Sequence, residues 1–368
     1  MKNNSLHIIL GCILLIMCSC EPIIEEQAAR KTVRAAFDAV WADMDTNYVY
    51  IEERGYDWDE IHSRYTRKIK KAKEEELTSI IQDLVDELAD PAIRIYMNRE
   101  EFTYYPDTFK EQNLHVVIWN GFLSNNDYYQ WIDKVYFEGS SINRLIHTGD
   151  SSAVYLYIQP SAGVFIDEAN LLLFWQEYLV SYASGIKGVI LDTRADERMT
   201  ETQMLSLCKY FLPEGNQELF VVRERIHPNK GYSLSEGVPF YTECNGLYAH
   251  TPLVILNSFQ TANYANVMTY LLQSKQKYPA VVVNTHQTLG GGGLSESHIY
   301  HEEGSYSVRV DYPTKHLSNK AHSTFNQPLN PDIQIPYDTN HLSMTYTDPY
   351  IVTALEAIDQ MVAGTNPK

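Results

Sequence analysis

Three stretches of this 368-residue chain carry groups that could do chemistry. The first is Leu191-Asp192-Thr193-Arg194-Ala195-Asp196-Glu197-Arg198-Met199, with carboxylates four residues apart at Asp192 and Asp196. These read as a strand end and a turn residue rather than an acid–base pair, because Asp tolerates the backbone geometry of turns. The second is Leu256-Asn257-Ser258-Phe259-Gln260-Thr261-Ala262-Asn263-Tyr264-Ala265-Asn266, with hydroxyls at Ser258 and Thr261. A hydroxyl becomes a nucleophile only when an adjacent base takes its proton, so either one would need a partner from elsewhere. The third is Thr288-Leu289-Gly290-Gly291-Gly292-Gly293. Its bare backbone can come close to another chain, but it lacks the Lys and Ser/Thr of a phosphate-cradling loop. His286 and His298 bracket these glycines, with His316 and His322 further on. Among twelve histidines they read as scattered surface residues. No Cys/His spacing suggests a metal site, and no cofactor is implied.

The elements around these stretches alternate. Strands are expected at Ala153–Ile158, Gly188–Asp192, Leu219–Arg223, Pro252–Asn257 and Ala280–Asn284. Helices are expected at Glu168–Ala183, Glu201–Phe211, Ala262–Ser274 and Pro349–Met361, and Tyr306–Tyr312 alternates like an exposed strand. Alternation of this kind predicts an α/β sheet covered by crossover helices. Both chemical turns then lie between a buried strand and a helix, where ligands collect in such sheets. Ahead of this core, three apolar stripes at helical spacing are Phe37/Val40/Trp41/Met44, Trp58/Ile61/Tyr65/Ile69 and Leu77/Ile81/Leu84/Val85/Leu88, with Asp57 as cap of the second. The organisation expected is a signal at 1–19, a tether at 20–30, a helical subdomain at 31–98, an aromatic-rich connection at 99–150 with a strand at Leu114–Trp119, and the core at 151–365.

The signal rests on Lys2, an apolar run from Leu6 to Met17, and then Cys18-Ser19-Cys20. That run is too short for a bilayer core of about 30 Å, and the pattern is that of an exported lipoprotein with Cys20 as the lipidated residue. The expected location is the cell envelope of a Gram-negative bacterium, at the outer membrane, held by lipid alone. A net charge of −18 argues against nucleic acid as a partner. Cys208 and Cys244 remain after the signal, either paired or as two buried thiols.

Taken in order, these motifs resemble the tail-specific (C-terminal processing), tricorn-core serine peptidases. Phe37, Trp41 and Asn47-Tyr48 match that family's first helix. The three turns follow at similar spacing, and Pro331-Asp332 and Asp348-Pro349 close the chain. The resemblance implies a crotonase-like (ClpP-like) α/β core flanked by helices, with an N-terminal helical subdomain. It also exposes departures. Ala92 stands where tricorn-like members have the general-base histidine, and Arg198-Met199 where the oxyanion-hole glycine pair belongs. Asn263 takes the nucleophile position, Asn266 a glutamate, Gly291 the base lysine of the processing branch, and Phe325 a late glutamate. An amide has no group that a base can turn into a nucleophile. The implied protein is a pseudo-peptidase that binds an extended peptide or protein segment, with Asn263, Tyr264, Gly290 and Gly291 lining the groove. The alternative is an active serine-type peptidase using Ser258 or Thr261.

Overall fold

Apolar side chains at helical spacing, closed by suitable caps, account for the first helices of the computed structural model. The structure describes residues 34–97, 100–104, 132–138, 141–148, 151–157, 168–182, 184–194, 199–226, 233–275, 280–303, 306–321, 323–335 and 349–367. The signal, Cys20, the strand expected at Leu114–Trp119, Asp196, Arg198 and His322 lie outside them. The chain divides into two units, one of Met1–Tyr104, Arg225–Ser233 and Glu296–Tyr312, the other of Tyr105–Glu224, Leu234–Ser295 and Pro313–Lys368.

In the first unit, helix α1 spans 34–47 and buries Phe37, Val40, Trp41 and Met44. Helix α2 (Trp58–Lys71) buries Trp58, Ile61, Tyr65 and Ile69, and Asp57 caps it by accepting from the Glu60 N–H at 3.1 Å. Acidic residues in its first turn and lysines in its last both oppose the helix dipole favourably. Trp41 stacks on Trp58 with ring centres 4.0 Å apart, joining these two helices. Helix α3 (Glu74–Leu88) ends at Ala89, whose φ is +46°. Strands β1 (Arg94–Met97) and β2 (Glu100–Thr103) pair antiparallel, and β1 pairs with the first half of strand β12 (Tyr306–Ser318). The exposed strand expected at Tyr306–Tyr312 is corrected here: Val308, Val310 and Tyr312 are buried on one face, and residues of α1 and α3 pack against Val308 and Val310.

The second unit holds a seven-stranded sheet built from β3 (Ile132–Glu138), β4 (Ser141–Thr148), β5 (Ser151–Tyr157), β6 (Gly188–Asp192), β9 (Leu253–Leu256), β10 (Val281–Asn284) and β13 (Ile333–Gln334). Its order is β13-β10-β9-β6-β5-β4-β3, parallel from β5 to β13 and antiparallel through β3, β4 and β5. Val189, Leu191, Leu253 and Ile255 face one core with α5 (Glu201–Phe211) and α6 (Asn263–Lys275). Ile190, Val254 and Leu256 face the other with α7 (Pro349–Val362). Burial on both faces explains why these strands read as unbroken apolar runs. Trp175 and Leu179 of α4 (Glu168–Tyr182) join the first core. A second antiparallel set is formed by the end of β12 with β7 (Gly215–Glu224), and β7 with β8 (Val238–Cys244). Strand β11 (Gly293–Glu303) pairs with β12. The mixed α/β class expected from the sequence is observed. Cys208 and Cys244 are free buried thiols, and the Cys244 thiol donates to the Cys208 carbonyl at 4.0 Å. No described helix is long and apolar enough to cross a membrane.

Candidate functional site

The carboxyl ends of β6, β9 and β10 in the second unit open into the three turns singled out from the sequence. After β6, Asp192 is fully buried and accepts from the Tyr155 hydroxyl at 2.5 Å. It also takes the Arg194 Nε and Nη2 donors at 2.9 and 2.6 Å, while the Arg194 guanidinium lies 4.6 Å over the Tyr350 ring. This buried pair is saturated by hydrogen bonds, so it fixes the turn. Met199 packs into the core beside Leu191 and Met204. Its side chain is drawn inward as apolar surface.

After β9, Asn257 accepts from the Thr193 hydroxyl at 2.7 Å, tying this turn to the previous one. Ser258 is buried, donates its hydroxyl to the Arg194 carbonyl, and accepts from the Gln260 N–H at 2.9 Å. Thr261 donates to the Thr193 carbonyl at 2.9 Å and accepts from the Ser258 N–H at 3.0 Å. Both hydroxyls therefore give their protons to backbone oxygens. Asn263 opens α6 with φ +53°, in the left-handed region. Asn adopts that region more readily than most residues. Its N–H donates to the Gly290 carbonyl at 3.0 Å. Burial pushes the Tyr264 phenol up to about 12, with Glu201 adding to the effect.

Asn266 is fully buried, and its Nδ2 donates to the carbonyls of Gly291, Phe325 and Gln327 at 3.1 to 3.2 Å. Its Oδ1 accepts from the Thr288 hydroxyl at 2.6 Å, and that hydroxyl accepts from the Leu329 N–H at 2.8 Å. One amide thus binds α6, the glycine loop and the 325–329 segment together. Gly290 has φ +85°, and a Cβ there would sit 2.9 Å from the Pro328 nitrogen. The Gly291 N–H donates to the Asn326 carbonyl at 3.0 Å. The close approach expected of this loop is real, but the segment it meets is the chain's own. Gly290 and Gly291 spend these backbone groups internally rather than offering them to a ligand. Phe325 packs in the core, its ring centre 5.4 Å from that of Tyr270. Asp332 accepts from the Val282 N–H at 3.0 Å and clamps β10.

In the first unit, Asp90 is buried and accepts from the Tyr48 hydroxyl at 2.5 Å and from Arg54 at 3.3 Å. It also takes the Ala92 N–H at 2.9 Å. Burial and then the Asp90 charge raise the Tyr48 phenol well above its ordinary range. Ala92 itself offers only a methyl group, 5% exposed. His298 pairs with Asp43 at 3.2 Å and stacks on Tyr312, while His286 meets the Thr285 hydroxyl at 3.0 Å. Among the described residues no cluster suits a metal ion.

Comparison with known proteins agrees with the architecture. The tricorn protease C1 domain family matches residues 29–86. No curated protein matches the sequence. Among solved structures, mature CPAF is similar over 92% of this chain and 98% of its own, at 10% identity and a TM-score of 0.67. A protein from Parabacteroides merdae designated a candidate peptidase is similar over 88% and 96%, at 18% identity and 0.63. A lipoprotein from Streptococcus agalactiae is similar over 89% and 96%, at 14% and 0.53. The chain has the fold of the tail-specific, tricorn-core peptidases. Within that fold, Asp90, Asp192, Arg194, Thr261 and Asp332 are seen holding turns in place. What the sequence could not reveal was Asn266 as a three-way clamp, since its partners lie about 25 to 60 residues away along the chain.

Proposed function

We propose that this protein is a lipid-anchored pseudo-peptidase that binds an extended peptide or protein segment on a crotonase-like core without cleaving it. The observation that carries this reading is the turn after β9. Position 263 holds an amide, and the two aliphatic hydroxyls of the turn, Ser258 and Thr261, are buried donors to the carbonyls of residues 194 and 193. Acyl transfer needs a hydroxyl, a base and two N–H donors within mutual reach. Here Ala92 and Asn263 supply neither base nor nucleophile. The retained left-handed φ at Asn263 fits a turn shaped for a nucleophile and kept after its loss.

The test is reaction of the soluble chain, from Glu21 on, with a fluorophosphonate probe and with unfolded protein substrates. Neither labelling nor cleavage is expected. Labelling that maps to Ser258 or Thr261 would replace this reading with an active serine-type peptidase. Lipidation at Cys20 is tested separately by fatty-acid labelling in cells: label lost in Cys20→Ala supports lipid anchoring through Cys20, and label retained there refutes that site.

A further inference from the structure

With Gly290 and Gly291 bonded to the chain's own segment, an extended partner must find backbone elsewhere. Strand β8 is the terminal strand of its sheet and pairs, among the described residues, with β7 alone. Pro239 lies opposite Val221 within it. A proline inside an edge strand turns its nitrogen away from the neighbour. Period-two alternation then turns the backbone groups of Tyr241 and Glu243 outward as well. Edge strands are commonly blunted by lysines, yet β8 carries none and exposes Val238 at 67% and Tyr241 at 49%. Among the described residues the surrounding charge is negative: Glu214, Glu236 and Glu243 are exposed, whereas of the cations beside the strand Lys209 is exposed, Arg223 is buried and donates to the Ser318 hydroxyl, and Lys320 is taken by Glu218 at 2.7 Å.

We infer that the β8 edge, from Val238 to Cys244, is the docking strand for a cationic, extended peptide segment, which adds to the sheet as a further strand. This rests on the peptide-binding reading above and gives it a place and a charge. Main-chain hydrogen bonds supply affinity in such pairing, and alternate side chains supply selectivity. A basic partner follows from the carboxylates, and Val238 and Tyr241, three apart and so on opposite faces of the strand, each offer it one apolar contact. The cleft left by the degenerate turn is not used.

The probe is a fluorescein-labelled nonapeptide alternating lysine and valine, titrated by anisotropy against the soluble chain. Controls replace its lysines by glutamate, or methylate alternate backbone nitrogens. Binding of the lysine peptide alone, weakened about tenfold or more by combined Glu236→Lys and Glu243→Lys, is the expected result. Tyr241→Ser should weaken it while leaving the thermal midpoint unchanged, which excludes misfolding as the cause. Binding that ignores all three substitutions overturns the β8 placement and leaves peptide binding itself standing. No binding up to about 1 mM overturns both. A concentration-dependent dimer lost in Tyr241→Ser, without peptide binding, names a second copy as the occupant and also overturns the proposal. A serine labelled by fluorophosphonate would refute the pseudo-peptidase reading without touching these results.

Discussion

At the scale of single residues, buried polar side chains in the turns bind the chain to itself. Asn266 is the densest case, because its amide nitrogen donates to three carbonyls that a carboxylate could only repel. Asn266→Asp is expected to destabilise the second unit by about 3 to 5 kcal/mol, since a buried charge would be left facing acceptors. Urea unfolding would check this, and a loss below about 1 kcal/mol would refute the clamp. Gly290→Ala tests the loop from the other side. Its φ of +85° and a Cβ 2.9 Å from the Pro328 nitrogen leave no relaxed position, so a cost of at least about 1 to 3 kcal/mol is expected in the same assay. Burial raises both the Cys208 and Cys244 thiols above the usual range. A raised pKa in the folded state means that stability is full below the unfolded thiol's value of about 8.5 and falls as pH climbs past it. Unfolding at pH 8 and pH 10 should show this decline, and Cys208→Ala should make it shallower.

Elements were legible wherever one periodicity ran unbroken. The fully buried strands β6, β9 and β10 and helices α2, α5 and α7 fall within a residue or two of where apolar patterning puts them. Where two effects competed, the reading failed. Strand β8 was missed because Pro239 and alternating exposed residues look like a loop, although edge position makes both acceptable. Strand β12 was cut short at Tyr312, because its second half takes a different partner, β7 rather than β1. The site was legible as a set of turns but not as a set of bonds, since hydrogen-bond partners such as Ser258 and Arg194 lie 64 residues apart. Caps are the exception, being local. Asp57 accepts from the N–H three residues on, so Asp57→Ala should lower the stability of the first unit by about 1 kcal/mol. An unchanged midpoint in chemical denaturation would show that α2 is held by Trp58 and Tyr65 packing alone.

At the scale of the whole molecule, the sequence suggests a helical subdomain that stops near residue 98, whereas the first unit is assembled from three separate stretches of chain. Residues 225–233 and 296–312 return to it, and the second of these brings the strand that pairs with β1 from Arg94↔Asp311 to Met97↔Val308. Tyr312 meets Tyr48 edge-on with centres 6.4 Å apart, and its hydroxyl donates to Asp43 at 2.7 Å. Arg225 donates to the Asp45 carbonyl. A fragment of residues 34–104 would keep every helical stripe and cap but lose the strand that pairs with β1 beside Ile95 and Met97. Sheet edges and half-covered apolar faces are not stable alone in water. The fragment is therefore expected to show helical far-ultraviolet dichroism with no cooperative thermal transition and no near-ultraviolet signal from its stacked Trp41 and Trp58. Joining residues 296–312 to its end through a glycine-serine linker should restore both signals, because that stretch supplies Val308, Val310 and Tyr312 to the core. A fragment of 34–104 that melts cooperatively by itself would show that the three helices suffice, and that β12 only decorates a unit already formed.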